Sequence, residues 1–154
     1  IPTHHIDLFG NNTTGFEYHH NNYSNCSAFL NETLPWNIHI TSGASDIFMD
    51  LQALSVEKLD ITTGAGDIDI RFGTKNSRTE VEITSGASDV SITIPSGSGV
   101  SVNSAAGASH IRIGEATIEG IGAKNYISPN FNTAGNVFVF NFASGACDVT
   151  IEYY

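Results

Sequence analysis

The 154-residue chain is predicted to be all-β, a parallel β-solenoid of about five coils behind a non-repeat N-terminal flank. Three observations predict it. Seventeen Ile and 8 Val outnumber 6 Leu, and β-branched side chains suit a pleated surface better than a helix. A short motif, Thr/Ser-Gly-Ala-x-Asp-Ile/Val, recurs along the chain, and a period of 20 to 50 residues is the signature of stacked repeats. Apolar residues alternate with polar ones on both sides of every copy, the period of a strand with one buried face.

The elements follow in order. Residues 1–35 contain no copy of the motif, and their Asn- and His-rich character predicts a flank that covers the first coil. Residues 36–154 form the repeat region. The motif copies are Gly43-Ala44-Ser45-Asp46, Gly64-Ala65-Gly66-Asp67, Gly86-Ala87-Ser88-Asp89, Gly107-Ala108-Ser109-His110 and Gly145-Ala146-Cys147-Asp148, with steps of 21, 22, 21 and 38 residues between glycines. Five and three positions before the glycine stand Ile38 and Ile40, Leu59 and Ile61, Val81 and Ile83, Val102 and the exception Ser104, then Phe140 and Phe142. Four and six positions after it stand Ile47 and Met49, Ile68 and Ile70, Val90 and Ile92, Ile111 and Ile113, then Val149 and Ile151. Each repeat is therefore two strands joined at a Gly-Ala corner, and each strand is expected to pair with its counterpart one repeat later. The glycine is expected to supply a backbone conformation closed to other residues. The invariant alanine suggests a corner with no room for a larger group. Pro95-Ser96-Gly97-Ser98-Gly99 reads as a turn. The long last step places an insertion at residues 115–135, with a short strand expected at Thr117 to Ile121. Aromatic residues outside the regular coils, together with Phe138, Phe140, Phe142, Tyr153 and Tyr154, are expected to plug the ends of the stack.

Sixteen acidic residues against 6 basic ones give a net charge of −10, a field that repels phosphate backbones and anionic headgroups, so no nucleic-acid partner is expected. No stretch of 18 apolar residues and no basic leader occur, so neither a membrane span nor a signal peptide is expected within these residues.

The run Trp36 to Gly73, with Trp-x-Ile-x-Ile-x-Ser-Gly-Ala, Asp50-Leu51, Val56-x-x-Leu59 and Thr63-Gly64-Ala65-Gly66-Asp67, resembles the toast-rack domain, a family of uncharacterised, adhesin-like bacterial β-solenoids. The same module resembles the C-terminal part of LiaF-type membrane proteins that respond to cell-wall-active antibiotics. Ser85-Gly86-Ala87 and Ile94-Pro95 followed by Gly99-Val100 extend the likeness. The resemblance implies an extracytoplasmic, cell-envelope or secreted bacterial location and a non-enzymatic role in protein interaction or envelope-stress sensing. The alternative is an adhesin-like or glycan-binding surface module. Expected partners are an envelope protein or a second copy of the chain, with a glycan under the alternative.

The sharpest candidate residues are those of the corners: Gly43, Asp46, Gly64, Asp67, Gly86, Asp89, Gly107, His110, Gly145 and Asp148. Stacked coils would bring neighbouring aspartates to roughly 5 Å, where two carboxylates repel by about 3 kcal/mol in a partly screened medium. Hydrogen bonds from backbone N–H groups of each turn are the expected offset. A Ca²⁺ ladder on these oxygens competes, but His110 interrupts it, so neither metal nor cofactor is expected. The histidine pairs His4-His5 and His19-His20 point to opposite faces of a strand and make no chelate. Ser45, Ser88 and Ser109 recur once per coil and lack the Gly-x-Ser-x-Gly context of a nucleophile, so they read as structural. Cys147 fills the same small-residue slot, and a bridge to Cys26 would tie the flank to the last coil. Arg71 and Arg112, with Asp50, Asp69 and Glu152, are the residues a polysaccharide-cleaving β-helix would use, with cross-coil ion pairing on a solvated face as the other reading. No catalytic residue is assigned, and residues 115–135 and the flank are where recognition is expected.

Overall fold

The motif copies become the corners of a wrapped sheet. In the computed structural model, which describes residues 4–9 and 28–154, nine strands form one sheet and no helix occurs among the described residues. The strands are β1 His4–Phe9, β2 Pro35–Ala44, β3 Ile47–Leu51, β4 Ser55–Ala65, β5 Ile68–Phe72, β6 Arg78–Ile94, β7 Gly99–Ile113, β8 Ala116–Ile127 and β9 Val137–Tyr153. In the first two coils the corner separates two strands, β2 from β3 and β4 from β5. From β6 onward a strand runs through the corner unbroken, which is why β6 and β9 each reach 17 residues.

Among the described residues all strand pairings but one are parallel, and these keep register apart from a shift between Trp36 and Asn37. Ile38 lies beside Leu59, Leu59 beside Val81, and Val81 beside Phe140. On the other side of the corner Ile47 lies beside Ile68, and Ile68 beside Val90. The inward rows make one core in which Leu59, Ile61, Ile70, Val81, Ile92, Phe140 and Ile151 are fully buried. β1 pairs with β2 in parallel from His4 opposite Trp36 to Phe9 opposite Thr41.

The order of the stack departs from the order of the chain. Coil on coil in sequence would set β7 against β6 and β9 last. Instead β9 lies between β6 and β7, in parallel with both, and β8 closes the stack as an antiparallel edge. The side chains explain the exchange. Phe138, Phe140 and Phe142 point inward from β9 and stack at 6.1 Å between successive rings, with Phe72 at 5.3 Å from Phe138. At an end of the stack one flank of each ring would face water, and full burial of a large apolar side chain is worth about 1.5–3 kcal/mol. In the middle all three are at most 3% exposed. The smaller row of β7, with Ser104 beside Phe142, takes the outer position. These phenylalanines therefore form the centre of the core and do not plug its ends; of the aromatics on the last strand of the stack, Tyr126 packs against the core from β8.

Residues 115–135 are largely that edge strand. Ile113 pairs with Ala116 across a two-residue turn whose first central residue, Gly114, has φ 55°, as a primed hairpin turn requires. The expected short strand is thus twelve residues long. It follows β7 around the corner in the opposite chain direction, and there Gly120 and Gly122 take φ of 127° and 93° opposite a bulge between Ala106 and Ala108. The return segment to β9 is fastened to neighbouring turns. Ser128 Oγ accepts from the Val100 N–H at 2.9 Å, and Asn130 Nδ2 donates to the Gly97 carbonyl at 3.0 Å. The turn at Pro95 forms as expected: Ser98 donates its N–H to the Pro95 carbonyl at 3.2 Å, with Gly97 at φ 82°.

Ser104 stands in the row where β2, β4, β6 and β9 carry Ile40, Ile61, Ile83 and Phe142. Its hydroxyl is buried with no hydrogen-bond partner. Leaving such a group unpaired costs about 1–3 kcal/mol, more than its few atoms gain by packing. Ser104→Ala should therefore raise stability by about 1 kcal/mol, read as a higher urea midpoint at unchanged slope.

Candidate functional site

The corner glycines form a column in the order Gly43, Gly64, Gly86, Gly145, Gly107, each a step from the next along the stack. None of the five has a positive φ. The conformational reason read from the sequence is thus replaced by a steric one. A Cβ on Gly64 would lie 2.2 Å from the Gly43 carbonyl oxygen, on Gly86 2.5 Å from that of Gly64, on Gly145 2.7 Å from that of Gly86, and on Gly107 2.6 Å from that of Gly145. The backbones of successive coils touch here, and only a residue without a side chain allows it.

Next to this column runs a second one, Ala44, Ala65, Ala87, Ala146 and Ala108 in lateral register. All five alanines are exposed. Crowding therefore resides at the glycine, and the alanine methyls line the outside of the corner.

The third position is buried at Ser88, Ser109 and Cys147 and exposed at Ser45. Ser88 donates to Ser85 Oγ at 2.8 Å, Ser144 donates to Cys147 Sγ at 2.9 Å, and the hydroxyls of Ser42 and Ser45 also meet. Where Gly66 removes the partner, Thr63 donates to the Ala65 carbonyl at 3.3 Å. In β7 Ala106 removes the other partner, and Lys124 from β8 supplies one. Its ammonium donates to Ser109 Oγ at 2.5 Å, to the Gly120 carbonyl at 2.5 Å and to the Ser109 carbonyl at 3.2 Å. The lysine is thus engaged by two carbonyls and a hydroxyl at this corner. Ser88 and Ser109 are both 8% exposed, Ser88 engaged inside its own corner and Ser109 by Lys124 of β8. Cys147 is a buried free thiol; its suggested partner Cys26 lies outside the described residues.

The fourth position turns outward. Asp46, Asp67, Asp89 and Asp148 are exposed in one row, with His110 half-buried at its end. Asp46 Oδ1 accepts the backbone N–H of Asp67 at 3.1 Å, so this carboxylate caps the next coil and not its own turn. Water and salt screen the rest of the row's repulsion at the surface. His110 lies between Asp148 of β9 and Glu119 of β8, and its Nδ1 is 3.0 Å from Glu119 Oε1. An aspartate there would face carboxylates on both sides, a conflict the histidine avoids. The carboxylates of Asp67, Asp89 and Asp148, the alanine methyls and Ile121 line an open trough of about 670 Å³ along the corner.

The other candidates lie elsewhere. On the outward face beyond the corner Asp50 lies beside Arg71, whose guanidinium sits 5.6 Å from the ring centroid of Tyr154. Arg112 lies between Thr150 and Thr117, on the far side of β6 and β9 from Arg71. At roughly 4.8 Å per strand, Arg112 and Arg71 are too far apart to share one reacting bond. The outward face before the corner carries polar contacts between coils: His39 Nδ1 lies 3.3 Å from Asp60 Oδ2, and Lys58 pairs with Glu82 at 2.6 Å. The hydrogen bond to Glu82 and the carboxylates of Glu82, Asp60 and Glu80 raise the Lys58 pKa above its ordinary value. A raised folded-state pKa gives stability that is complete below 10.5 and is lost as pH climbs through the higher folded value. The pair is exposed, so Lys58→Met should cost less than about 1 kcal/mol at neutral pH, and the difference from wild type should shrink in high salt and above pH 10.5, as urea titrations would record.

Comparison with known proteins joins this geometry to a family. The family model described as the N-terminal domain of toast_rack, DUF2154, matches residues 3–93, more than half the chain. The chain belongs to the toast-rack family. The match ends within β6, so the interposed β9 and the β7–β8 hairpin of this toast-rack chain lie beyond it. A solved structure from Clostridium sporogenes, described as a "putative cell adhesion protein", superimposes with a TM-score of 0.70 at 17% identity, over 99% of this chain and 89% of that one. At that identity the likeness is one of fold. No curated protein matches the toast-rack chain.

What sequence reasoning missed is the full length and antiparallel pairing of β8 and the role of Lys124. The signal was present: Ile113-Gly114-Glu115-Ala116 is a two-residue hairpin turn between alternating apolar runs.

Proposed function

We propose that the chain is a non-enzymatic toast-rack module facing outward in a bacterial cell envelope, where its rigid solenoid serves protein interaction or envelope-stress sensing. The observation that carries this reading is the engagement of the corner side chains. Each hydroxyl or amine that could act chemically is tied to the neighbouring coil or to its own turn: Ser88 to Ser85, Ser144 to Cys147, Lys124 to Ser109. What remains on the outside is a carboxylate row, a row of methyls and isolated apolar side chains, which supports a surface for contact. The family match and the fold of the Clostridium sporogenes protein support the same class of role. Envelope exposure is tested by treating intact cells of the source bacterium with a membrane-impermeant amine reagent. Modification of this chain before lysis is expected; modification only after lysis would sink the proposal.

A specific observation favours a second reading, a glycan-binding head. Phe48 is 77% exposed and Tyr154 49% exposed on the face that also carries Arg71, a combination of aromatic planes and a charged donor that suits sugar rings. Retention on a polysaccharide array that Phe48→Ala and Tyr154→Ala both abolish would favour it over protein recognition.

A further inference from the structure

The stack ends at β8, and the outer edge of β8 pairs with no strand among the described residues. Edge strands that stay single are commonly blocked by proline, by outward lysine or by a bulge that twists them away. β8 carries neither proline nor an outward lysine, and the bulge in its pairing lies in β7, between Ala106 and Ala108. Its one inward charge, Lys124, is held by two carbonyls and a hydroxyl of its own stack, and Glu119 is engaged by His110. Its inward Ile118 and Tyr126 are only half-buried, so the core is open at this end, while Ile121 and Ile127 are 88% and 65% exposed.

The corner restricts what can cover this edge. β8 bends at Gly120 to Gly122, so a straight peptide would pair along one arm only. A full-length partner must turn the same corner with its inward residues inward, and a second β8 running antiparallel meets both conditions. The pleat admits registers that place outward residues opposite outward ones. In the one centred on Gly122, Ile118 faces Tyr126 of the second copy, Thr117 faces its Ile127, and Glu119 faces its Asn125. No like charges meet, although each chain carries −10 overall. The neighbouring register, centred on Ile121, sets Ile118 against Lys124 and loses the apolar pair.

We infer that β8 is a self-association edge, through which two copies of this chain stack end to end about a twofold axis at Gly122. This inference goes beyond the proposed envelope role and does not depend on it. The geometry makes Asn125 a reporter, because it is exposed, uncharged and opposite Glu119 of the second copy at two symmetric places. Sedimentation velocity of the purified chain over the micromolar range should show a monomer–dimer equilibrium. Asn125→Lys should tighten it by about fivefold and Asn125→Glu should weaken it by about fivefold, with far-ultraviolet circular dichroism unchanged in both. A chain that stays monomeric throughout overturns the inference, as does a dimer that the two substitutions leave alone or shift in the same direction.

Discussion

Gly86→Ala is expected to destabilise the chain by about 3 kcal/mol, although Gly86 lies at the surface and alanine is the smallest possible addition. A Cβ there would meet the Gly64 carbonyl oxygen at 2.5 Å, and that oxygen belongs to the backbone of a neighbouring coil. No flexible side chain can give way. Relief requires moving β4 away from β6, which lengthens ladder hydrogen bonds on both sides of the corner. Gly43→Ala is the matched control: same motif, same exposed corner, but no described atom lies within 4 Å of a Cβ at that position. It should change stability by less than about 0.5 kcal/mol. Urea midpoints of the two variants, measured together, check the steric account. If the glycine were needed for its conformation, the two substitutions would cost the same.

Phe140→Ala is expected to cost about 4 kcal/mol, the range for deleting a fully enclosed aromatic side chain. Phe140 is 0% exposed and sits between the rings of Phe138 and Phe142 on a strand flanked by β6 and β7. Its cost depends on the order of the stack. Were β9 the terminal coil, as chain order suggests, one side of the ring would be open and the loss far smaller. Disulfide trapping gives an independent check. Thr84→Cys with Ala143→Cys places two exposed cysteines opposite each other on adjacent strands and should cross-link. Thr84→Cys with Ala105→Cys, separated by β9, should not.

Legibility in the sequence differed from residue to residue for physical reasons. The inward rows were readable because alternation is local: Leu59, Ile61, Ile68 and Ile70 announce a buried pleat within a dozen residues, whatever lies beside them. The stacking of the aspartates in one row followed from the motif spacing, but not the coil whose N–H Asp46 caps. The cause of the corner glycine was not readable, because left-handed backbone and steric contact select the same residue, and only the neighbouring carbonyl tells them apart. His110 looked like a lapse in the repeat until Glu119 appeared beside it. Lys124 gave no hint of its partner, since a lysine on a strand is ordinarily a solvated charge.

Strand content, two-sided corners and in-register parallel pairing were determined by the sequence alone, since periodicity and motif spacing are properties of one chain segment at a time. Which coil lies on which was decided only in the tertiary structure. The copies are near-equivalent in register, so local pattern assigns them no order. Total burial breaks the tie, because three phenylalanines gain most from lying between two coils, and an antiparallel strand must then finish the end that the small side chains of β7 leave open.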